Sequence, residues 1–203
     1  MKIACSQDCL ELRKKLGESV PLCDALAETV GGCHASGGIW RFFSEAYPEG
    51  GVWKWNCGSG WKSEWEIQQE DFYAFGEDIF GNQIVVQPKL EQGLLWNHES
   101  GEMVDLLLDP VTPIETVIES GLDWIDFYNN GSLRVAEKKI MDIPPECDLH
   151  WTTPLILGGQ VDSANTSIVE RTSHLIGHAK LWKQLKVCEP GAMIIPTRKP
   201  TGT

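Results

Sequence analysis

The sequence predicts a mixed α+β fold in which helices flank an antiparallel sheet. Three observations carry that prediction. Short apolar and aromatic runs recur between residues 37 and 107, separated by tight Gly-, Asn- and Ser-containing turns. This close spacing leaves no room for the crossover helices of a parallel sheet. Helical periodicity frames the block on both sides. Hydrophobic residues make up 42% of the 203 and charged residues 23%, ordinary values for a chain that folds rather than stays disordered.

The elements follow in order. Residues 7 to 16 predict a short helix, with Asp8 and Glu11 early, Arg13, Lys14 and Lys15 late, and Leu12 and Leu16 on one face. Pro21 to Val30 predicts a second helix, opened by Pro21 and closed by Gly31-Gly32. Ile39, Trp40, Phe42 and Phe43 read as a strand. Val52 to Trp55 reads as another, after the Pro48–Gly51 turn. Strands then follow over FYAF (72–75), QIVV (83–86), Leu94–Trp96 and Met103–Leu107, with turns at Gly81-Asn82 and Glu99–Glu102. Ile114, Val117, Ile118, Leu122 and Ile125 recur at helical steps, so a helix is expected over 111–129, with Thr112 as cap. After Pro144-Pro145, Leu155–Leu157 suggests a strand, Ser167–Lys186 a helix, and Ala192–Ile195 a last strand before a frayed tail.

The formal net charge is −12 with a pI near 4.8. Such a surface repels nucleic-acid phosphates and anionic lipid, and suits a partner with a basic surface. No apolar window reaches the roughly 18–20 residues of a membrane span, and no apolar region stands ahead of Ala4-Cys5 to make a secretory leader. Seven cysteines without a CxxC pair fit neither a zinc ribbon nor a disulfide framework, so reduced, buried thiols and a cytoplasmic location are expected.

Within the strand block lies FGEDIFGNQIVV (75–86), followed by LLWNHESGEMVDL (94–106). An acidic pair, Glu77 and Asp78, leads into Phe80, Gly81 and Asn82. Then comes an aromatic strand residue, Trp96, and a Ser100-Gly101-Glu102 turn. Over about residues 20 to 130 this order resembles the SUKH superfamily, the yeast cell-wall synthesis regulators and their bacterial relatives. The resemblance implies a strongly bent sheet and a closing helix over Thr112–Tyr128. It divides the chain into a core at 1–135 and a C-terminal extension at 136–203 packed on it. It also implies a non-catalytic, cofactor-free protein. In bacteria such proteins are typically immunity proteins that bind a partner toxin and occlude its active site. The yeast relatives are interaction hubs, so a regulatory domain with no toxin partner is the blander form of this expectation.

The candidate site residues divide by chemistry. Glu77 and Asp78 offer charge to a partner, or else bond local backbone amides and fix the turn. Trp53, Trp55, Trp61 and Trp65 crowd thirteen residues. A strand would bury Trp53 and Trp55 together, leaving Trp61 and Trp65, with Trp96, as candidate partner contacts. Gly81, Asn82 and Gly101 are expected to be structural turn residues. His174 and His178 lie four apart, which aims two imidazoles from one helix face and suits a metal. Leu175 stands where the zinc-hydrolase helix motif needs Glu, and His150, Asp162, Glu170 or Cys188 could supply a third ligand without diagnostic spacing. A metal-dependent hydrolase or small-ligand binder built on His174 and His178 is therefore the alternative to the non-enzymatic reading. Cys33-His34 lacks any flanking nucleophile motif.

Overall fold

The computed structural model describes residues 33–35, 40–44, 48, 50–57, 60–68, 71–87, 92–108 and 143–189. The expected helices at 7–16, 21–30 and 111–129, the last strand, the tail and the boundary at 135/136 lie outside them. The fold is α+β. Strands β1 (Cys33–Ala35), β2 (Trp40–Phe42), β3 (Tyr73–Asp78), β4 (Gln83–Gln87), β5 (Gln92–Asn97) and β6 (Glu102–Leu108) form one antiparallel sheet in sequential order. This is the meander that the closely spaced turns predict. A second, two-stranded antiparallel sheet pairs β7 (Cys147–Trp151) with β8 (Thr166–Glu170).

Three helices complete the described fold: α1 (Gly51–Asn56), α2 (Trp61–Glu64) and α3 (Arg171–Lys186). Helix α1 corrects the strand expected at Val52–Trp55. Gly50 and Gly51 both take positive φ, at 84° and 80°, and turn the chain into the helix. Val52, Trp53, Trp55 and Asn56 are buried along it, a helical stripe rather than an alternating strand face. Asn56 locks the helix to β3, donating to the carbonyls of Val52 at 2.9 Å and Ala74 at 2.7 Å and accepting from the Ala74 amide at 2.7 Å. Leu155–Leu157, expected as a strand, is a single 3-10 turn closed by Gly158 at φ 85°. The helix expected from Ser167 begins at Arg171, because residues 166–170 pair with β7 instead. Glu170 caps that helix, accepting from the amides of Thr172 and Ser173 at 2.8 and 2.7 Å.

Two apolar clusters hold these parts together. The larger lies between the sheet, α1, α2 and α3 and contains Phe42, Phe43, Trp55, Trp61, Trp65, Phe72, Trp96 and Leu175. The smaller joins the 79–80 corner to β7 through Ile79, Phe80, Leu149 and Trp151, with Phe80 stacked on Trp151 at 5.0 Å. A backbone bond from Leu149 N–H to the Ile79 carbonyl, 2.8 Å, ties the second sheet to the end of β3. Among the described residues no helix is long and apolar enough to cross a membrane. Cys147 and Cys188 are free thiols, whereas Cys57 is disulfide-bonded. At that position the expectation of reduced thiols does not hold.

Candidate metal centre

The five residues expected to face a partner are all buried. Glu77 and Asp78 have no exposed area, and Trp61, Trp65 and Trp96 keep 2–3%. The tryptophans form one aromatic stack: Trp61 lies 5.7 Å from Trp55 and 5.3 Å from Trp96, which meets Trp65 edge-on at 4.8 Å. Their ring N–H groups are used internally. Trp55 donates to the Gln83 side chain at 2.8 Å, Trp61 to the Trp55 carbonyl at 3.0 Å, and Trp65 to the Leu175 carbonyl at 2.9 Å. Large amphipathic rings near glycines suggested exposure. The short helix α2 instead turns Trp61 and Trp65, four residues apart, onto the same buried side. None of the five presents a surface to a second protein.

The structure does bring His174 and His178 together, and it adds two more of the five histidines, His98 and His150. Ring centroids are 4.9 Å apart for His174–His178, 4.7 Å for His98–His174 and 4.5 Å for His98–His178. His150 lies 4.8 Å from His174 and 5.4 Å from His178. In each pair the ring planes meet at 70 to 80°, edge toward face. One nitrogen from each of His98, His174 and His178 lies within 4.8 Å of the other two.

Each histidine arrives for a local reason. Arg171, His174, Leu175, His178 and Ala179 make the buried stripe of α3 at steps of three and four. His98 follows β5 in a tight turn. There Asn97 Oδ1 accepts from the Glu99 and Ser100 amides at 2.8 and 3.3 Å, and Gly101 takes φ 72°. On β7, Leu149 and Trp151 enter the smaller apolar cluster, so Asp148 and His150 share the opposite face, toward α3.

The supporting bonds fix the ring tautomers, as assigned from the hydrogen-bond network. Asp78 accepts from the amides of Phe80 (2.9 Å) and Asn82 (3.0 Å) and from Asn82 Nδ2 (2.7 Å). That leaves Asn82 Oδ1 facing His98 Nδ1 at 2.9 Å, so the ring nitrogen donates and Nε2 keeps its lone pair. His174 Nδ1 faces Asp148 Oδ2 at 3.4 Å, and its Nε2 is likewise left as the acceptor. His98 Nε2, His174 Nε2, His150 Nδ1 and His178 Nδ1 are buried without a hydrogen-bond partner among the described residues. Burial pushes His98 well below the usual imidazole range and His174 to about 3. It takes His178 to about 3, aided by the charges of His174 and His150, and His150 to about 4, aided by His174. All four rings are therefore neutral at pH 7, the state in which imidazole binds a metal.

Behind the histidines lies a buried ion network. Asp148 Oδ1 pairs with Arg41 at 3.1 Å and Arg171 at 3.7 Å; Glu77 Oε1 pairs with Arg171 at 2.5 Å and Arg41 at 3.6 Å. Burial lifts Glu77 to about 7 and Asp148 to about 6, and the two guanidiniums oppose that rise. With both cations at ion-pair distance from both carboxylates, we assign all four groups as charged. Gly81 completes the arrangement. It sits at φ 88°, and a Cβ there would come within 3.0 Å of Asp148 Oδ2 and 3.1 Å of His174 Nδ1. Four of the motif residues thus have a place here. Glu77 steadies the arginines that hold Asp148, Asp78 and Asn82 orient His98, and Gly81 admits the Asp148–His174 pair.

A cavity of about 210 Å³ opens elsewhere, lined by Lys54, Trp55, Glu146, Glu170 and Arg171 among others. It carries charges of both signs and no histidine, and its Arg171 already pairs with Glu77. The converging imidazoles, not this cavity, carry the distinctive chemistry. Among the other expected ligands, Glu170 is the cap of α3, Asp162 accepts from the Ala164 amide, and the exposed Cys188 thiol contacts the Gln184 carbonyl. His98 was not among the sequence candidates. Nothing in WNHESG marks it, and only the β5 turn brings it to α3.

No family model and no curated protein matches this sequence. The crystal structure of Atu4351 from Agrobacterium tumefaciens is similar, with a TM-score of 0.52 at 15% identity, covering 88% of this chain and 82% of that one. At that identity the likeness concerns the fold alone.

Proposed function

We propose that this protein binds a divalent first-row transition metal through His98, His174 and His178. The single observation behind this reading is that His98, His174 and His178 each bring a nitrogen within 4.8 Å of the other two, in rings that each keep a buried nitrogen with no hydrogen-bond partner among the described residues. Buried polar atoms in folded proteins are rarely left unpaired, and several in one cluster call for a shared ligand. Zinc suits the site best, because it accepts all-imidazole donors and imposes no geometry of its own. Zn–N bonds of about 2.0–2.1 Å put tetrahedral nitrogens about 3.4 Å apart. Loading would therefore draw nitrogens now within 4.8 Å together by at most about 1.4 Å. Asp78–Asn82 behind His98 and Asp148 behind His174 are the outer partners that metal-bound histidines require to hold tautomer and orientation.

The test is direct. Protein stripped with a chelator and dialysed should take up one zinc per chain, and His174→Ala/His178→Ala should take up none. Zinc at a hundredfold excess over Kd should raise the unfolding free energy by about 2.7 kcal/mol. Failure to retain zinc at micromolar concentrations would sink this reading.

A second reading follows from the motif at 75–86 and the net charge of −12: a SUKH-type, non-catalytic protein in the cytoplasm that neutralises a partner with a basic surface. Since Glu77, Asp78, Trp61, Trp65 and Trp96 are buried, its contact face would have to be built from other residues. Such a complex should weaken with salt, chiefly through a slower on-rate. A complex indifferent to salt would count against it.

A further inference from the structure

We infer that the metal site keeps one exchangeable position on the His150 side, open to water or a small anion, with His150 beside the ion rather than bound to it. This inference rests on the metal reading above and assigns the fourth position of that site.

The four histidines are not equivalent. His98, His174 and His178 keep 2–4% of their surface, whereas His150 is only partly buried. The three buried rings lie 4.5–4.9 Å apart, whereas His150 stands 4.8 Å from His174 and 5.4 Å from His178. The nitrogens that group within 4.8 Å come from the three buried rings. Their supports also differ. His98 and His174 are held from behind by Asn82 and Asp148, and His174 and His178 share the rigid frame of α3. His150 belongs to the two-stranded sheet, on the same face of β7 as Asp148 but with no supporting side-chain bond to its ring among the described residues. The buried set thus has three members, and the partly exposed His150 stands beside it.

Charge points the same way. Three neutral imidazoles leave the two positive charges of a divalent ion uncompensated by its ligands. Glu77 and Asp148 are matched by Arg41 and Arg171, and Asp78 spends both oxygens on the Phe80 and Asn82 amides and Asn82 Nδ2, so it is not a ligand. The ion would therefore favour an anionic fourth ligand: hydroxide formed by loss of a proton from bound water to solvent, or a small inorganic anion. A fourth neutral histidine would leave that charge in place. This is the arrangement of zinc sites that react, rather than of closed sites that only brace a fold.

The experiment uses Co2+ in the metal-free full-length chain, with azide as the anion probe. We expect one Co2+ per chain, visible bands of a four-coordinate ion, and a saturable shift of those bands on adding azide. His150→Ala should change Co2+ affinity by less than about threefold and keep the azide response, while His174→Ala should lower affinity by more than about a hundredfold. Co2+ bound without any azide response, together with a His150→Ala loss as large as that of His174→Ala, would overturn the inference. It would indicate a closed four-histidine site and leave the metal reading standing. No Co2+ uptake by the folded wild-type chain would overturn both. Because His150 is partly exposed, its variant should fold, and a matched circular dichroism melt checks this.

Discussion

The aromatic stack and the histidine cluster both involve α3, where Leu175 belongs to the apolar core and His174 and His178 to the cluster, and both are buried, ring-rich and assembled from distant segments. They differ in what their polar atoms do. In the stack, the ring N–H groups of Trp55, Trp61 and Trp65 each meet an internal acceptor. In the cluster, each of four rings leaves one nitrogen buried without a hydrogen-bond partner among the described residues, and three of the rings bring a nitrogen within 4.8 Å of one another. Burial alone therefore does not separate core from site. Satisfied polar atoms mark the first, and converging unsatisfied ones mark the second.

The largest effect expected from this contrast is on the stack. Trp61→Ala should lower the unfolding free energy by about 3–5 kcal/mol in urea titrations, since it removes a ring that touches three others. Zinc affinity of the folded fraction should be unchanged. A loss below about 1 kcal/mol would mean that the stack is not a packed core.

Next comes a variant that separates the two regions by sign. His178→Leu should abolish stoichiometric zinc binding, at more than about a hundredfold in affinity. It should leave the metal-free protein as stable as before, or more stable by about 1 kcal/mol, because an unpaired buried nitrogen is replaced by an apolar group. A destabilised apo-protein would make His178 an ordinary core residue. A smaller change is expected one layer out. Asn82→Ala frees the His98 tautomer and should weaken zinc binding by about 10–100-fold, read by competition with a chromogenic chelator. The smallest is Gly81→Ala, expected to cost about 1–2 kcal/mol at its positive φ and to weaken zinc binding only through the pushed Asp148–His174 pair.

Much of the fold could be read from the chain. The turns at Gly81-Asn82 and Glu99–Glu102 and the short apolar runs beside them led to β3 through β6, because alternation and turn chemistry are local. Val52–Trp55 misled, since Trp-Lys-Trp alternates like a strand while the two glycines before it start a helix. β7 and β8 went unseen: Cys147–Trp151 alternates, but its neighbours look like linker. At the site, His174 and His178 were visible by their spacing on one helix. His98 could not be, because its approach to α3 depends on long-range packing. The motif residues were legible as a turn, but not as supports for a site formed by segments nearly a hundred positions away.

Gly101 sits at φ 72°, 3.0 Å from the Trp182 ring nitrogen for any added Cβ, and so pins the His98 turn against the far end of α3. An ion shared by His98 and the two α3 histidines would clip that turn to the helix across about 75 intervening residues. In the chain-entropy picture, a crosslink closing a ring of that size restricts the unfolded ensemble by about 4.5 kcal/mol. The amides of α3 should then exchange with deuterium far more slowly in the loaded protein, and protease access to the intervening segment should fall with them.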